Sequence, residues 1–109
     1  MILIISGTNR KNSNSLRLAK HCQKLLEGQG ASTQLLDLAT LPIEVLSPTA
    51  YSQKPEGWAP FQQAIDQAKA VWVVVPEYNG SFPGALKMFI DLLEHPQSLK
   101  GLPLSLIHI

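Results

Sequence analysis

Along the chain, short unbroken apolar runs alternate with stretches whose apolar residues recur at helical spacing. Met1–Ser6 and Val71–Val75 are continuous apolar runs, too short for helices and rich in β-branched residues, as in strands buried on both faces of a parallel sheet. Ser32–Leu38 mixes Thr33, Gln34 and Asp37 with leucines, a pattern that suits an edge strand. Leu18, Ala19, Cys22, Leu25 and Leu26 form one face of a first helix, closed by Gly28 and Gly30. Phe61, Ala64, Ile65 and Ala68 mark a second helix, opened by Pro60 and anchored at its entry by Trp58. Leu86, Phe89, Ile90 and Leu93 mark a third, with Pro83 as its first residue and Pro96 ending it. Leu41–Gly57 holds Pro42, Pro48 and Pro55, shows no period and is predicted as a loop. Leu104–Ile109 reads as a fourth strand, giving the order β-α-β-loop-α-β-α-β. A chain of 109 residues has room for one such α/β domain and one core.

Composition narrows the function classes. A net charge of +1 without a basic cluster leaves no electrostatic footprint for nucleic acid. No stretch approaches the ~20 apolar residues needed to cross a bilayer, so no membrane partner is expected. The lone Cys22 excludes an internal disulfide framework, reads as a small buried hydrophobe and fits a cytoplasmic protein. His21, His95 and His108 lie too far apart for a metal-ligand spacing, and no acid or base is singled out as catalytic.

The chemistry concentrates in two loops, each following a strand predicted to be central. Between the first strand and first helix lies Gly7-Thr8-Asn9-Arg10-Lys11-Asn12-Ser13-Asn14-Ser15. One residue suffices to cap a helix, a contribution of about 1 kcal/mol. Thr8, Arg10, Ser13, Asn14 and Ser15 together exceed that need and suit an anion at a helix N-terminus, with Arg10 able to engage a phosphate bidentately. Neither glycine-rich nucleotide fingerprint is present. The second loop, Pro76-Glu77-Tyr78-Asn79-Gly80-Ser81, is polar but hardly charged. Its backbone N–H groups are free to donate, and Gly80 permits a close approach or a positive φ. Taken alone, it is as well read as an ordinary strand-to-helix turn.

Pro76-Glu-Tyr-Asn-Gly-Ser, followed by Pro83-Gly-Ala-Leu-Lys and Ile90-Asp, resembles the flavin-contacting segment of the NADPH-dependent FMN reductase family. Ser6-Gly-Thr-Asn-Arg and Ser13-Asn-Ser are similar to that family's phosphate loop. Met88 stands where the family pattern has Asn, a departure inside the helix that bears on packing or subunit contacts. The resemblance implies a flavodoxin-like three-layer α/β/α fold with parallel strand order 2-1-3-4. It places the phosphate of FMN on Thr8, Arg10, Ser13, Asn14 and Ser15, and the flavin ring against Pro76, Glu77, Tyr78, Asn79 and Gly80. It implies NADPH or NADH as co-substrate and a small-molecule electron acceptor: a quinone, azo dye, metal oxyanion or free flavin. Members are commonly homo-oligomers.

The resemblance also implies a longer chain. Family members continue from a Lys-Gly-x-Pro segment, here Lys100-Gly101-Leu102-Pro103, through a fourth strand, a third flavin loop and further elements. Residues 1–109 are therefore expected to be the N-terminal part of one flavodoxin-like FMN-binding domain, incomplete at its C-terminus. Leu104–Ile109 is an acceptable β pattern, and codons that would encode it also resemble a transposon end used to build sequencing libraries. A fragment is expected to bind FMN weakly and to show little activity. The alternative function is a non-enzymatic FMN electron-transfer module, against which the near-neutral charge argues, since flavodoxins tend to be strongly acidic.

Overall fold

The computed structural model describes residues 1–109. The continuous apolar runs become the two middle strands of a four-stranded sheet: β1 (Ile2–Ser6) and β3 (Ala70–Val75) pair side by side. β2 (Thr33–Asp37) takes the edge beside β1, and β4 (Leu104–His108) pairs with the other side of β3. The order is β2-β1-β3-β4 and every pairing is parallel, the flavodoxin-like arrangement. Ser6 lies beside Val74 in the register, so the loops after β1 and β3 leave the sheet at the same end.

Alternation along the strands assigns the two faces. Leu3 and Ile5 of β1, with Val71, Val73 and Val75 of β3, join one core with α2 (Ala59–Gln67) and α3 (Gly84–Leu92). Ile4 and Val74 face the other way, against Ala19 of α1 (Asn14–Gly28). The larger core is built on Trp58, whose ring stacks on Phe61 at 5.9 Å between centroids and meets Phe89 at the same distance. Trp58 thus anchors the entry of α2, as its position predicts. Cys22 is buried against the sheet side of α1.

Several expectations are corrected. Leu25 of α1 is 55% exposed and Ile90 of α3 is 40% exposed, although both continue an apolar stripe. Each helix packs along a contact narrower than its stripe, which leaves one flank in water. Leu41–Gly57 is not a plain loop: with the residues just before it, it winds into three short 3-10 turns, Leu38–Thr40, Ile43–Leu46 and Pro48–Tyr51. Val45 and Ala50 pin this segment to the core, and Pro42 and Pro48 open the second and third turns. Pro83 is the N-cap of α3 rather than its first residue, and α3 ends at Leu92, before Pro96. β4 is solvent-facing: Leu104 and Leu106 are 59% and 60% exposed.

Candidate functional site

The first loop begins where β1 ends. Gly7 N–H donates to the carbonyl of Val74 at 2.8 Å, and a Cβ on Gly7 would stand 3.0 Å from that same oxygen. The backbone crosses β3 so closely that a side chain here would require the Val74 carbonyl to give way. Thr8 follows, wholly buried, with its Oγ1 2.6 Å from the Tyr78 hydroxyl and accepting the Arg10 N–H at 3.3 Å. Asn12 turns the chain with a φ of 53°, and Ser13 caps α1, its Oγ accepting the Leu16 N–H at 3.0 Å. Ser13 Oγ therefore has the plain capping role. The N–H groups of Lys11, Asn12, Ser13, Asn14 and Ser15 have no acceptor within the chain. They border a cleft of about 360 Å3 lined by residues 10–15 with Pro76, Tyr78 and Ile109. Its charged side chains are Arg10 and Lys11, no acidic side chain lines it, and Arg10 makes no ion pair. Free N–H groups, the positive end of the α1 dipole and an unpaired guanidinium make a seat for a phosphate-sized anion.

The second loop is a miniature hairpin. Asn79 and Gly80 have φ angles of 53° and 79°, and Tyr78 and Ser81 exchange both backbone hydrogen bonds, at 2.8 and 3.1 Å. Two consecutive positive φ angles are the mark of a type I′ turn, for which Asn-Gly is the preferred pair. A Cβ on Gly80 would meet nothing within 4 Å, so φ rather than close approach calls for glycine in the chain by itself. The N–H of Tyr78 is committed to Ser81, which corrects the expectation that all the loop's N–H groups are free; those of Glu77, Asn79 and Gly80 remain available. The Glu77 side chain is exposed.

The predicted residues fall into groups. Thr8 is bonded to Tyr78, while Arg10, Ser13, Asn14, Ser15, Pro76 and Tyr78 share the anion cleft. Glu77 and Gly80 line a smaller hollow of about 160 Å3 with Phe82 and His108, and Asn79 stands exposed at the hairpin tip. Gly7, Lys11 and Asn12 belong to the site and escape sequence reasoning. The Asn79-Gly80 pair carried the hairpin signal; nothing in the sequence announces the contact at Gly7. Tyr78 also walls a second cavity of about 470 Å3, mostly apolar, between the 3-10 segment and the start of α3. No three His, Cys, Asp or Glu side chains come together as a metal site. No helix is long and apolar enough to cross a membrane.

Comparison with known proteins gives this geometry a family. The sequence profile of the family described as NADPH-dependent FMN reductase matches residues 1–109. A quinone reductase of Pseudomonas putida is 32% identical over 100 residues, covering 87% of this chain and 50% of that protein. A 2-hydroxy-1,4-benzoquinone reductase of a Burkholderia species is 34% identical over 102 residues, covering 92% and 54%. Among solved structures, the flavoenzyme NAD(P)H:(acceptor) oxidoreductase FerB of Paracoccus denitrificans superposes with a TM-score of 0.79 at 33% identity, over 98% of this chain and 59% of that one. The chain thus spans about half the length of the curated relatives it matches. With the profile matching from the first residue to the last, and the paired loops that carry its motifs meeting at one end of the sheet, the chain belongs to the NADPH-dependent FMN reductase family.

Proposed function

We propose that this chain forms the flavin-phosphate half of an NADPH-dependent reductase whose electron acceptor is a quinone: NADPH, a proton and a quinone give NADP+ and the hydroquinone. The observation that carries the reading is the cleft at the start of α1, where an unpaired Arg10 stands beside five backbone N–H groups with no acceptor in the chain and no acidic side chain. That donor set fits the terminal phosphate of FMN. Bound there, FMN would supply the two-electron chemistry that links a reduced nicotinamide to a quinone.

The chain's own residues position rather than react. Arg10 and the N–H groups of residues 11–15 hold the phosphate, assisted by the helix dipole. The Thr8–Tyr78 hydrogen bond ties this loop to the hairpin, fixing the spacing between the phosphate end and the ring end of the site. The free N–H groups of Glu77, Asn79 and Gly80 are available to the polar edge of a ring, where they favour added electron density. Quinone as acceptor is supported by the names of the relatives in Pseudomonas putida and Burkholderia. A cytoplasmic setting is supported by the single free thiol, and a homo-oligomer by the family's habit.

Steady-state NADPH oxidation with FMN and 1,4-benzoquinone tests the reading. Slow turnover that needs both and gives parallel double-reciprocal lines is expected. Bound flavin without NADPH oxidation would instead make the protein an electron carrier.

A further inference from the structure

The tip of the hairpin carries a reactive pair that the flavin reading does not use. Of the asparagines Asn9, Asn12, Asn14 and Asn79, only Asn79 is followed by glycine; the others precede Arg10, Ser13 and Ser15. Asn79 and Gly80 are both exposed, and neither the Asn79 side-chain amide nor the Gly80 N–H has a hydrogen-bond partner within the chain. A Cβ on Gly80 would meet nothing within 4 Å, so the space around this peptide bond is open. Asn14, by contrast, is the first residue of α1, where its Oδ1 accepts from Arg17 Nη1 at 3.5 Å. Only the Tyr78 and Ser81 backbone pair holds the turn closed, and its apex buries nothing, the profile of a segment that opens at low cost.

We propose that Asn79-Gly80 is a site of spontaneous deamidation in the folded chain, and that its main product dismantles the hairpin. The Gly80 nitrogen, on losing its proton, attacks Asn79 Cγ. The new N–C bond closes a cyclic imide as the Cγ–Nδ2 bond breaks and ammonia leaves with the proton. Glycine leaves the attacking nitrogen unhindered and its own torsions free, whereas Arg10, Ser13 and Ser15 each carry a side chain beside theirs. Water then opens the imide at either carbonyl, with no change of oxidation state. Opening at Cγ gives aspartate, which a type I′ turn accepts before glycine. Opening at the main-chain carbonyl gives isoaspartate, which routes the backbone through Cβ and Cγ and lengthens it by one methylene. A two-residue turn with that extra atom cannot hold Tyr78 and Ser81 in both of their hydrogen bonds. Either product sets a carboxylate where the chain had a neutral amide. The consequence for flavin rests on the proposed function: a negative charge beside the ring opposes added electron density there.

The test is incubation of the 109-residue chain at mildly alkaline pH, folded and in urea, followed by peptide mass mapping and labelling with a protein isoaspartate methyltransferase. In the folded chain Asn79 should convert several-fold faster than Asn9, Asn12 or Asn14, with isoaspartate exceeding aspartate. The rate should rise with pH, as the attacking nitrogen loses its proton. Asn79→Gln, which needs a larger ring to react, should lose the conversion at this position. In the isoaspartate form the Tyr78 and Ser81 amides should lose their protection from hydrogen exchange, while Asn79→Asp keeps it. FMN and riboflavin should both bind the converted chain several-fold more weakly than the parent, whereas Arg10→Ala weakens FMN alone. A parent chain that binds neither flavin overturns the flavin reading only, since the modification is read by mass and labelling. Conversion confined to urea, conversion at another asparagine ahead of Asn79, or an isoaspartate form with the parent's protection at Tyr78 and Ser81 would each overturn the proposal.

Discussion

The hydrogen bond between Thr8 and Tyr78 joins residues seventy positions apart and is the one side-chain tie between the two loops of the site. Thr8→Val keeps the shape of the side chain and removes its hydroxyl. Thr8 is wholly buried, but Tyr78 is half-buried and Arg10 exposed, so both abandoned donors can turn to water. The cost is therefore that of a net hydrogen bond, about 1 kcal/mol, with a smaller addition for the longer 3.3 Å contact from Arg10. Tyr78→Phe removes the other partner and leaves Thr8 Oγ1, in its buried position, with only the Arg10 N–H; about 1–2 kcal/mol is expected. The double variant removes both ends of the bond, so its loss should fall short of the sum by about 1 kcal/mol. Urea unfolding of the four proteins, read as midpoints at a common slope, measures this coupling. Additivity to within about 0.3 kcal/mol would show that the two groups do not interact, and that the loops are held together by backbone packing alone.

Other substitutions probe the frame. Gly7→Ala puts a methyl group 3.0 Å from the Val74 carbonyl and should destabilise by about 1–3 kcal/mol in the same unfolding assay; an unchanged midpoint would mean that the backbone yields freely there. Gly80→Val meets no neighbour but forces a β-branched residue to a φ of 79°, so about 1–2 kcal/mol should be lost without any bound ligand, and a thermal midpoint equal to the parent's would contradict the type I′ turn. Trp58→Ala removes the ring packed on Phe61 and Phe89 and should cost about 3–5 kcal/mol by urea unfolding, enough to unfold a marginal domain; a loss below 1 kcal/mol would refute its place as anchor of the larger core.

Much of this fold was legible because its strongest signals are strand runs. Ile2–Ile5 and Val71–Val75 carry no polar residue, and only a central parallel strand buries both faces, so these two elements, their centrality and the edge position of β2 could be read directly. The strand order itself came from the family resemblance. Helical stripes were less informative, since Leu25 and Ile90 repeat at the right spacing and yet stand partly in water: periodicity tells which residues share a face, not how wide the facing surface is. The site divided in the same way. Residue types alone mark the phosphate loop, because several hydroxyl and amide groups crowd a helix start beside Arg10. The closeness of Gly7 to Val74 and the bond from Thr8 to Tyr78 are products of register, and register is invisible until the strands are paired. The apolar cavity beside Tyr78 was hidden for a third reason, since the prolines of its wall erase any period.

The central claim is that residues 10–15 hold the phosphate of FMN, and the most direct measurement is calorimetric titration of FMN and riboflavin into the parent chain and Arg10→Ala. The two ligands differ only by the phosphate. FMN should bind the parent more tightly than riboflavin, and loss of the charge-assisted bonds from Arg10, about 1.5–3 kcal/mol, should weaken FMN by roughly 10- to 150-fold while leaving riboflavin unchanged. Equal affinities for the two ligands in the parent chain, or equal weakening of both by Arg10→Ala, would contradict the assignment.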